Sequence, residues 1–511
     1  MTRGGTITRA IIITLMGGLL LCAGSWRLVF SRPAPPANQP PSRYRADRDG
    51  ETVRLVPVDP EQHTAMLRRA RTTVQASRRR VTDPRLPAGS YVYTPGASYT
   101  SYFFARDFLF FLEGAGRYFV RADEVRTAVD FLALAQLTDN RRVGTLTYPR
   151  GAIPDHLTLN GAPGWGFGNV PAPRPSMDEA FCFITLAWHA GEKAGWDAGW
   201  QRWFRTKATR FTWAWESVPR NPRTGLVTQW TTPGHIGAND IAEDDGACVM
   251  WGFHDSYAFP GDDLGCSVLA CNAARALADM HAHAGNPAAV YAWSTRADAM
   301  QDAIRAQFRY DPLGGGYLPW GVGSGAPTMA SPDITGYAVW SGLLTGTQAD
   351  AASDWFAACY RHDRAIAVPG DLFMMLPGGR GAVRMARKQD DCQPDVQVWP
   401  APDSRHWQNF CASYNAYQDG GYWYYMSLPI CAALWRKNPS IASEWVQNIY
   451  TDINAGGWEY PPERWDNHQP LGNAYLASIS SVIGMSNPDA FRLSTSSLHL
   501  KQPARWHISP E

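Results

Sequence analysis

The 511-residue sequence has almost no excess of charge of either sign, because 47 Lys and Arg residues are balanced by 46 Asp and Glu residues. It also has no stretch in which basic residues alternate with aromatic residues. A protein that binds nucleic acid normally carries such a basic patch or stripe. We therefore expect no nucleic acid partner.

The common signatures of nucleotide, metal and nucleophilic sites are also missing. The sequence has no Gly-x-Ser-x-Gly, no phosphate-binding loop and no dinucleotide fingerprint. Its nine cysteines include no Cys-x-x-Cys pair, and His235, His254 and His406 do not have the spacing of metal ligands. We expect neither an organic cofactor nor a metal ion.

The cysteines allow two interpretations. Cys266 and Cys271 lie in an apolar, helix-like run, which favours two buried core thiols. In an oxidising compartment, a disulfide could form among Cys359, Cys392 and Cys411, but the sequence leaves the pairing open.

Aromatic residues, by contrast, are abundant: 22 Trp, 21 Tyr and 20 Phe. Those in loops rich in Gly and Pro are suited to stacking against the apolar faces of sugars. The candidates are Trp165, Trp251, Trp423, Trp458 and Trp465. Trp200, Trp203, Trp213 and Trp215 have helical spacing instead, which predicts core positions.

The N-terminus has the pattern of an export segment. Arg3 and Arg9 flank the start of an apolar run that ends in small residues. Residues 1–30 are therefore a signal peptide or an N-terminal membrane anchor. Residues 31–50 form a Pro-rich linker, 51–490 the single large folded domain and 491–511 a C-terminal tail. The protein is expected in the periplasm or outside the cell.

Apolar residues recur with helical periodicity through most of the chain and predict an all-α fold. The twelve predicted helices are at about 60–80, 102–119, 122–138, 176–193, 196–216, 263–284, 287–308, 332–345, 348–360, 421–436, 439–453 and 473–485. Long loops rich in Gly, Pro and Trp recur between alternate pairs. This pattern favours six helical hairpins closed into an (α/α)6 toroid, with the long loops on one face, over an irregular helical array.

Two carboxylates lie in aromatic loops of this arrangement. Asp255 precedes the sixth helix in WGFHDSYAFPGDDLGCSVL (251–269), and Glu459 precedes the twelfth in GGWEYPPER (456–464). In a closed ring these loops would emerge on the same face and from opposite sides. One carboxylic acid and one carboxylate across a cavity are what inverting hydrolysis of a glycosidic bond requires.

Other interpretations of these acids remain open. Each of the two could instead cap a helix or pair with an arginine, as Glu459 could with Arg464. The acids that compete for the role of the general acid are Asp244, Asp245, Asp262 and Asp263.

Six segments together resemble one enzyme superfamily. They are YFFARDFLFFLEG (102–114), PDH (154–156), SMDEAF (176–181), GFHDS (252–256), YQDGGYW (417–423) and GGWEY (456–460). In order and spacing, the chain is similar to the six-hairpin glycoside hydrolases over about residues 90–485. That superfamily includes trehalases, glucoamylases and processing α-glucosidases. The resemblance implies an (α/α)6 barrel that cleaves an α-linked bond in a glucan or glycoconjugate by inversion.

The resemblance also implies roles for residues. Asp255 corresponds to the general acid and Glu459 to the general base. The family often has Asn where this chain has Asp419, a candidate substrate ligand whose charge could affect the site.

Further polar residues are expected to bind substrate. Arg106 and Asp107 interrupt an apolar run, so each must be paired or face a polar cavity. Asp107 would hold two sugar hydroxyls and Arg106 would orient it; alternatively, these charges serve an internal salt bridge to another helix. Other candidate hydroxyl ligands or helix caps are Asp155, His156 and Asp178.

One helix start has a recognisable sequence signal. Ser176 has Glu179 three positions later, which predicts a capping box at the start of the fourth helix.

Three other functions share these features. A glycoside phosphorylase would keep the acid but use phosphate in place of Glu459. A polysaccharide lyase would need a Tyr or His base and an arginine against a uronate, which the near-neutral loops do not favour. A glycan-binding scaffold would bind sugar without needing either carboxylate. In each case the expected partner is a carbohydrate.

Overall fold

The computed structural model describes residues 60–485 apart from thirteen gaps. The gaps are 97–98, 144–145, 166–175, 229–256, 259–260, 312–313, 323–329, 367–382, 385–396, 399–421, 456–463, 467–468 and 472–474. All described residues belong to one compact unit, Ala46–Glu511. The predicted export segment, linker and tail lie outside the described residues, as do Asp244, Asp245, Trp251, Asp255, Asp419, Trp458 and Glu459.

The described part of the chain contains the twelve α-helices that the periodicity predicts. They are α1 Pro60–Ser77, α2 Ala105–Glu113, α3 Ala122–Ala135, α4 Asp178–Lys193, α5 Ala198–Glu216, α6 Leu264–His283, α7 Pro287–Arg305, α8 Pro332–Trp340, α9 Gly346–Ile366, α10 Ser427–Lys437, α11 Pro439–Ala455 and α12 Leu476–Met485.

At two of the helices that begin later than predicted, a strand occupies the predicted first residues. Residues Tyr102–Phe103 pair antiparallel with Leu157 and Thr158, so α2 begins only at Ala105. Similarly, Tyr422–Trp423 pair with Arg464 and Trp465, so α10 begins at Ser427. In both cases a non-local strand partner overrides a local helical pattern.

The even-numbered helices form a closed inner ring. In the order α2, α4, α6, α8, α10 and α12 each contacts the next, and α12 contacts α2. The odd-numbered helices pack outside them: α3 contacts α4, α7 contacts α6, and α9 and α11 contact α10. This is the predicted (α/α)6 toroid, and ring closure excludes the irregular array.

Burial separates the two rings. All nine residues of α8 and all ten of α12 are buried, because an inner helix has neighbours on every side. In α7, an outer helix of 19 residues, the buried residues follow one face, from Trp293 through Ala297 and Met300 to Ile304. An outer helix therefore needs only a stripe of apolar residues, whereas an inner helix must be apolar all round.

The direction of the chain sets the two faces of the ring. The connections that enter the inner helices are long, such as 136–177 between α3 and α4 and 217–263 between α5 and α6, whereas the links that leave them are short, such as 194–197. All six long connections therefore reach the face on which the inner helices begin, which we call the mouth.

The long connections carry most of the strands. The strands are β1 Arg78–Arg80, β2 Tyr91–Tyr93, β3 Tyr102–Phe103, β4 Arg141–Val143, β5 Leu146–Tyr148, β6 His156–Thr158, β7 Pro163–Gly164, β8 Tyr257–Ala258, β9 Asp262–Asp263, β10 Arg309–Tyr310, β11 Gly316–Tyr317, β12 Gly321–Val322, β13 Val383–Arg384, β14 Gln397–Val398, β15 Tyr422–Trp423, β16 Arg464–Asp466 and β17 Gln469–Leu471. Several sheets join different connections: β3–β6–β7, β9–β12, β8–β14 and β13–β15–β16–β17. The rim of the mouth is thus tied together by hydrogen bonds between connections.

The described cysteines are all buried: Cys182, Cys266, Cys271, Cys359 and Cys431. Cys266 and Cys271 are core residues, as predicted. Cys359 is buried in α9. Because Cys392 and Cys411 lie outside the described residues, the disulfide among these three cysteines stays a prediction. Among the described helices, none is long and apolar enough to cross a membrane.

Candidate active site at the mouth of the toroid

Arg106 and Asp178 form an ion pair between two neighbouring inner helices. Arg106 Nη1 donates to Asp178 Oδ2 over 2.8 Å. Asp178 is completely buried, and the Ser176 hydroxyl donates to its other oxygen. Arg106 keeps about a fifth of its side chain exposed, at 20%. The ion pair therefore fixes a guanidinium that still reaches the mouth.

Asp107, the next residue of α2, is linked to the last inner helix. The phenol of Tyr475, just before α12, donates to Asp107 Oδ1. Tyr475 also forms a bridge with Gly96, and Leu476 N donates to Pro95 O over 2.7 Å. The carboxylate of Asp107 is only partly buried. It therefore combines a fixed position, where the ring closes, with some access from the mouth.

Glu179 does not form the predicted capping box, and that prediction is wrong. The residue before α4 is Met177, which offers no side-chain cap, and Ser176 is bonded to Asp178 instead. Glu179 reaches across to α2, where its Oε2 accepts from Ala105 N over 2.9 Å and its Oε1 from Arg106 N over 3.4 Å. It caps a different helix from the one that contains it.

These groups form one electrostatic cluster, which we call the Arg106 cluster: Arg106, Asp107, Asp155, Asp178 and Glu179. Burial raises the pKa of Glu179 well above its usual range, and the charges of Asp178, Asp155 and Asp107 add to this effect while Arg106 opposes it. Glu179 thus lies within range of three other carboxylates and of the guanidinium that pairs with Asp178. The described residues include no group of three or more His, Cys, Asp or Glu residues placed to hold a metal ion.

Asp155 and His156 form a pair on the rim. Asp155 Oδ2 is 2.9 Å from His156 Nδ1, and Asp155 is 5% exposed. The imidazole lies edge-on to Tyr102, with ring centroids 5.0 Å apart. A Cβ on Gly164 would lie 2.1 Å from His156 Nε2, so only glycine leaves room for the ring there.

Of the four tryptophans predicted to lie in the core, three do and Trp213 does not. Trp200, Trp203 and Trp215 are core residues, as expected. Trp213 is only partly buried; it lies under the Arg150 guanidinium, 4.6 Å from the ring centroid, and lines a cavity of 430 Å³. Because helical spacing alone does not tell which face meets solvent, the sequence pattern assigned Trp213 wrongly.

The aromatic stacking candidates lie in varied settings. Trp165 is 9% exposed and packs edge-on against Tyr148, with centroids 4.8 Å apart. Trp423 lies in β15 and Trp465 in β16, which pair at the rim. The other two candidates are outside the described residues.

Two of the acids that competed with Asp255 have structural partners. Asp263 caps α6, since its Oδ1 accepts from Cys266 N over 2.8 Å. Asp262 is 2% exposed and accepts from Thr224 Oγ1 over 2.7 Å and from Asn221 Nδ2. The hydrogen bonds of both residues stabilise the connection before α6.

The order of the inner ring relates the two connections that contain Asp255 and Glu459. They lead into α6 and α12, which are three positions apart in a ring of six and therefore on opposite sides. Both helices begin at the mouth, as do α2 and α4 with the Arg106 cluster.

Comparisons with known proteins find similarity in solved structures only. No family model matches the sequence, and no curated protein sequence matches it. Among solved structures, the chain is similar to a wild-type glycosidase, with 14% identity, a TM-score of 0.45 and coverage of 87% of this chain and 100% of that one.

Two further structures come from Thermus thermophilus. One is a GH63 mannosylglycerate hydrolase in complex with glucose, with 14% identity, a TM-score of 0.47 and coverage of 82% of this chain and 98% of that chain. The other is an uncharacterized conserved protein, with 13% identity, a TM-score of 0.48 and coverage of 82% and 99%.

Proposed function

We propose that this protein is an exported glycoside hydrolase that cleaves an α-linked bond of an oligosaccharide or glycoconjugate by inversion. Asp255 acts as the general acid and Glu459 as the general base. The observation that carries the proposal is the closure of the inner ring, because it brings the connections before α6 and α12 to one mouth from opposite sides.

The chemistry follows from two carboxyl groups in different states. The acid must be protonated to give its proton to the leaving oxygen, and the base must be ionised to activate water on the other face of the sugar. A separation of roughly 6.5–9.5 Å leaves room for that water. Trp251, Phe253 and Tyr257 adjoin Asp255 in sequence, and apolar neighbours of this kind raise the pKa of a carboxyl group.

The Arg106 cluster supplies the binding part of the mechanism. Asp107, partly exposed and fixed by Tyr475, accepts hydrogen bonds from two sugar hydroxyls. Arg106, held by Asp178, orients the same ring. Fixing these groups before substrate arrives lowers the entropic cost of reaching the reactive geometry. His156, backed by Asp155, would contact the sugar from the rim.

Residues in the remaining loops complete the proposed site. Trp251 and Trp458 flank the two catalytic carboxylates in sequence, and Trp165 and Trp423 belong to connections that reach the mouth. In this proposal they stack on sugar rings, while Asp419 binds a hydroxyl.

The decisive experiment is a screen of aryl glycosides and oligosaccharides, with the anomer of the first product followed by NMR. Wild-type protein should release sugar with inverted configuration. Asp255→Asn and Glu459→Gln should fold normally and lose several orders of magnitude in kcat, on the order of 10²–10⁴ or more. Normal activity in either variant would remove that residue from its role.

The same screen separates the alternatives. Cleavage that requires inorganic phosphate would identify a phosphorylase. Sugar binding without any release, unaffected by both substitutions, would identify a glycan-binding scaffold. Export is tested separately by the N-terminal sequence and the cell fraction of the mature protein.

A further inference from the structure

We propose that Glu179 is a positioning residue of the substrate site, which sets the orientation of Arg106 and Asp107 through the backbone of α2. This inference rests on the proposed function, since it concerns the same mouth. It assigns no contact with substrate to Glu179, which is only 1% exposed.

The start of α2 lacks a cap of its own. Phe104 occupies the cap position and makes no side-chain bond to the helix. The first N–H groups of a helix have no partner within it, and burying them unpaired is costly. Glu179 accepts from two of them, Ala105 N over 2.9 Å and Arg106 N over 3.4 Å.

One of the backbone groups that Glu179 binds belongs to Arg106, the residue whose side chain orients the sugar in the proposed function. The sequence neighbour of Glu179, Asp178, binds the guanidinium of Arg106, 2.8 Å from Nη1. Two adjacent acids at the start of α4 thus fix the backbone and the side chain of Arg106 separately. Asp107 is the next residue of α2, so the position of its backbone is fixed by the same contacts.

Placing a glutamate at this buried position, where it accepts from the N–H groups of α2, costs free energy. Glu179 is a buried carboxyl group among three others, and burial together with Asp178 and Asp155 raises its pKa. What α2 needs from it is an oxygen acceptor at the right reach, and a negative charge is not required. A glutamine has the same reach and one acceptor oxygen, which can keep the shorter bond from Ala105 N while the long one from Arg106 N is lost. An aspartate keeps the charge but is one methylene shorter.

This difference gives the test. In the full chain, kcat/KM should fall in the order wild type, Glu179→Gln, Glu179→Asp, with Glu179→Gln within about tenfold of wild type and Glu179→Asp lower by about a hundredfold, as a displacement of about 1 Å can cause. KM should carry most of the change, because Arg106 and Asp107 bind the sugar. Affinities for free glucose, mannose and galactose, measured by saturation-transfer NMR, should follow the same order.

The matched control is Asp197→Ala. Asp197 Oδ1 accepts from Trp200 N over 2.6 Å and caps α5 on the face opposite the mouth. This variant should lower Tm and leave kcat/KM unchanged.

Two results would overturn the proposal: Glu179→Asp as active as Glu179→Gln, or all variants equal to wild type in kcat/KM and sugar affinity. Failure of the proposed function looks different, since the wild-type protein would then hydrolyse no glycoside. The order of sugar affinities would still decide the role of Glu179. Loss of folding in Glu179→Asp but not in Asp197→Ala would also count against a role limited to positioning.

Discussion

The Tyr337 hydroxyl lies 2.8 Å from both carboxylate oxygens of Glu113, and this contact joins opposite sides of the inner ring. Tyr337 belongs to α8 and Glu113 is the last residue of α2, three positions away in the order of six. Glu113 is 6% exposed. A polar bond therefore crosses the axis of the toroid beneath the mouth.

Tyr337→Phe should destabilise the protein by about 1–3 kcal/mol, because it leaves a buried carboxylate without its hydroxyl partner. Urea unfolding followed by circular dichroism measures the change. Tyr310, which is 68% exposed, provides the matched control: Tyr310→Phe should have no effect. Equal stability of Tyr337→Phe and wild type would contradict the prediction.

Arg106 and Asp178 should be strongly coupled. Arg106→Met leaves the completely buried Asp178 without its cation, which should cost roughly 3 kcal/mol. Asp178→Asn in the same chain removes the buried charge and should restore part of that loss. A double-mutant cycle of unfolding free energies measures the coupling. Simple additivity of the two changes would refute it.

Tyr475→Phe should raise KM by about tenfold with little change in kcat, because it removes the hydroxyl that fixes the sugar-binding carboxylate of Asp107. Tyr337→Phe is the matched comparison. It also removes a phenol hydroxyl bonded to a carboxylate, but one that lies below the mouth, so it should change stability and not KM. If the two variants show the same KM, Tyr475 is a structural residue only.

Asp279 should make stability fall as pH rises. Burial raises its pKa from 3.8 to about 6, and a hydrogen bond from Trp188 Nε1 over 2.7 Å only partly opposes this. Between these values the unfolded chain releases the proton and the folded chain keeps it. Stability is therefore lost from about pH 4 to pH 6, by up to about 3 kcal/mol.

Asp279→Asn removes that dependence and keeps an acceptor for Trp188. The variant should be more stable than wild type at pH 7, with the difference vanishing towards pH 4, in denaturant titrations across that range. Asp302→Asn, at an exposed position of α7, should change neither the stability nor its pH profile. A constant difference between Asp279→Asn and wild type at all pH values would contradict the assignment.

The positions of the helices could be predicted from the sequence because their signal is local. Apolar periodicity located all twelve, and α2 and α10 begin later than predicted because strands β3 and β15 find partners from distant connections.

The sequence by itself therefore determined the number of helices, the all-α class and the candidate acids. Only the tertiary structure decided which helices close the ring, that Glu179 caps α2 instead of its own helix, and that Trp213 leaves the core. A helix start specifies that its N–H groups need acceptors, but not which segment supplies them. That choice depends on the packing of α4 against α2, which no local pattern encodes.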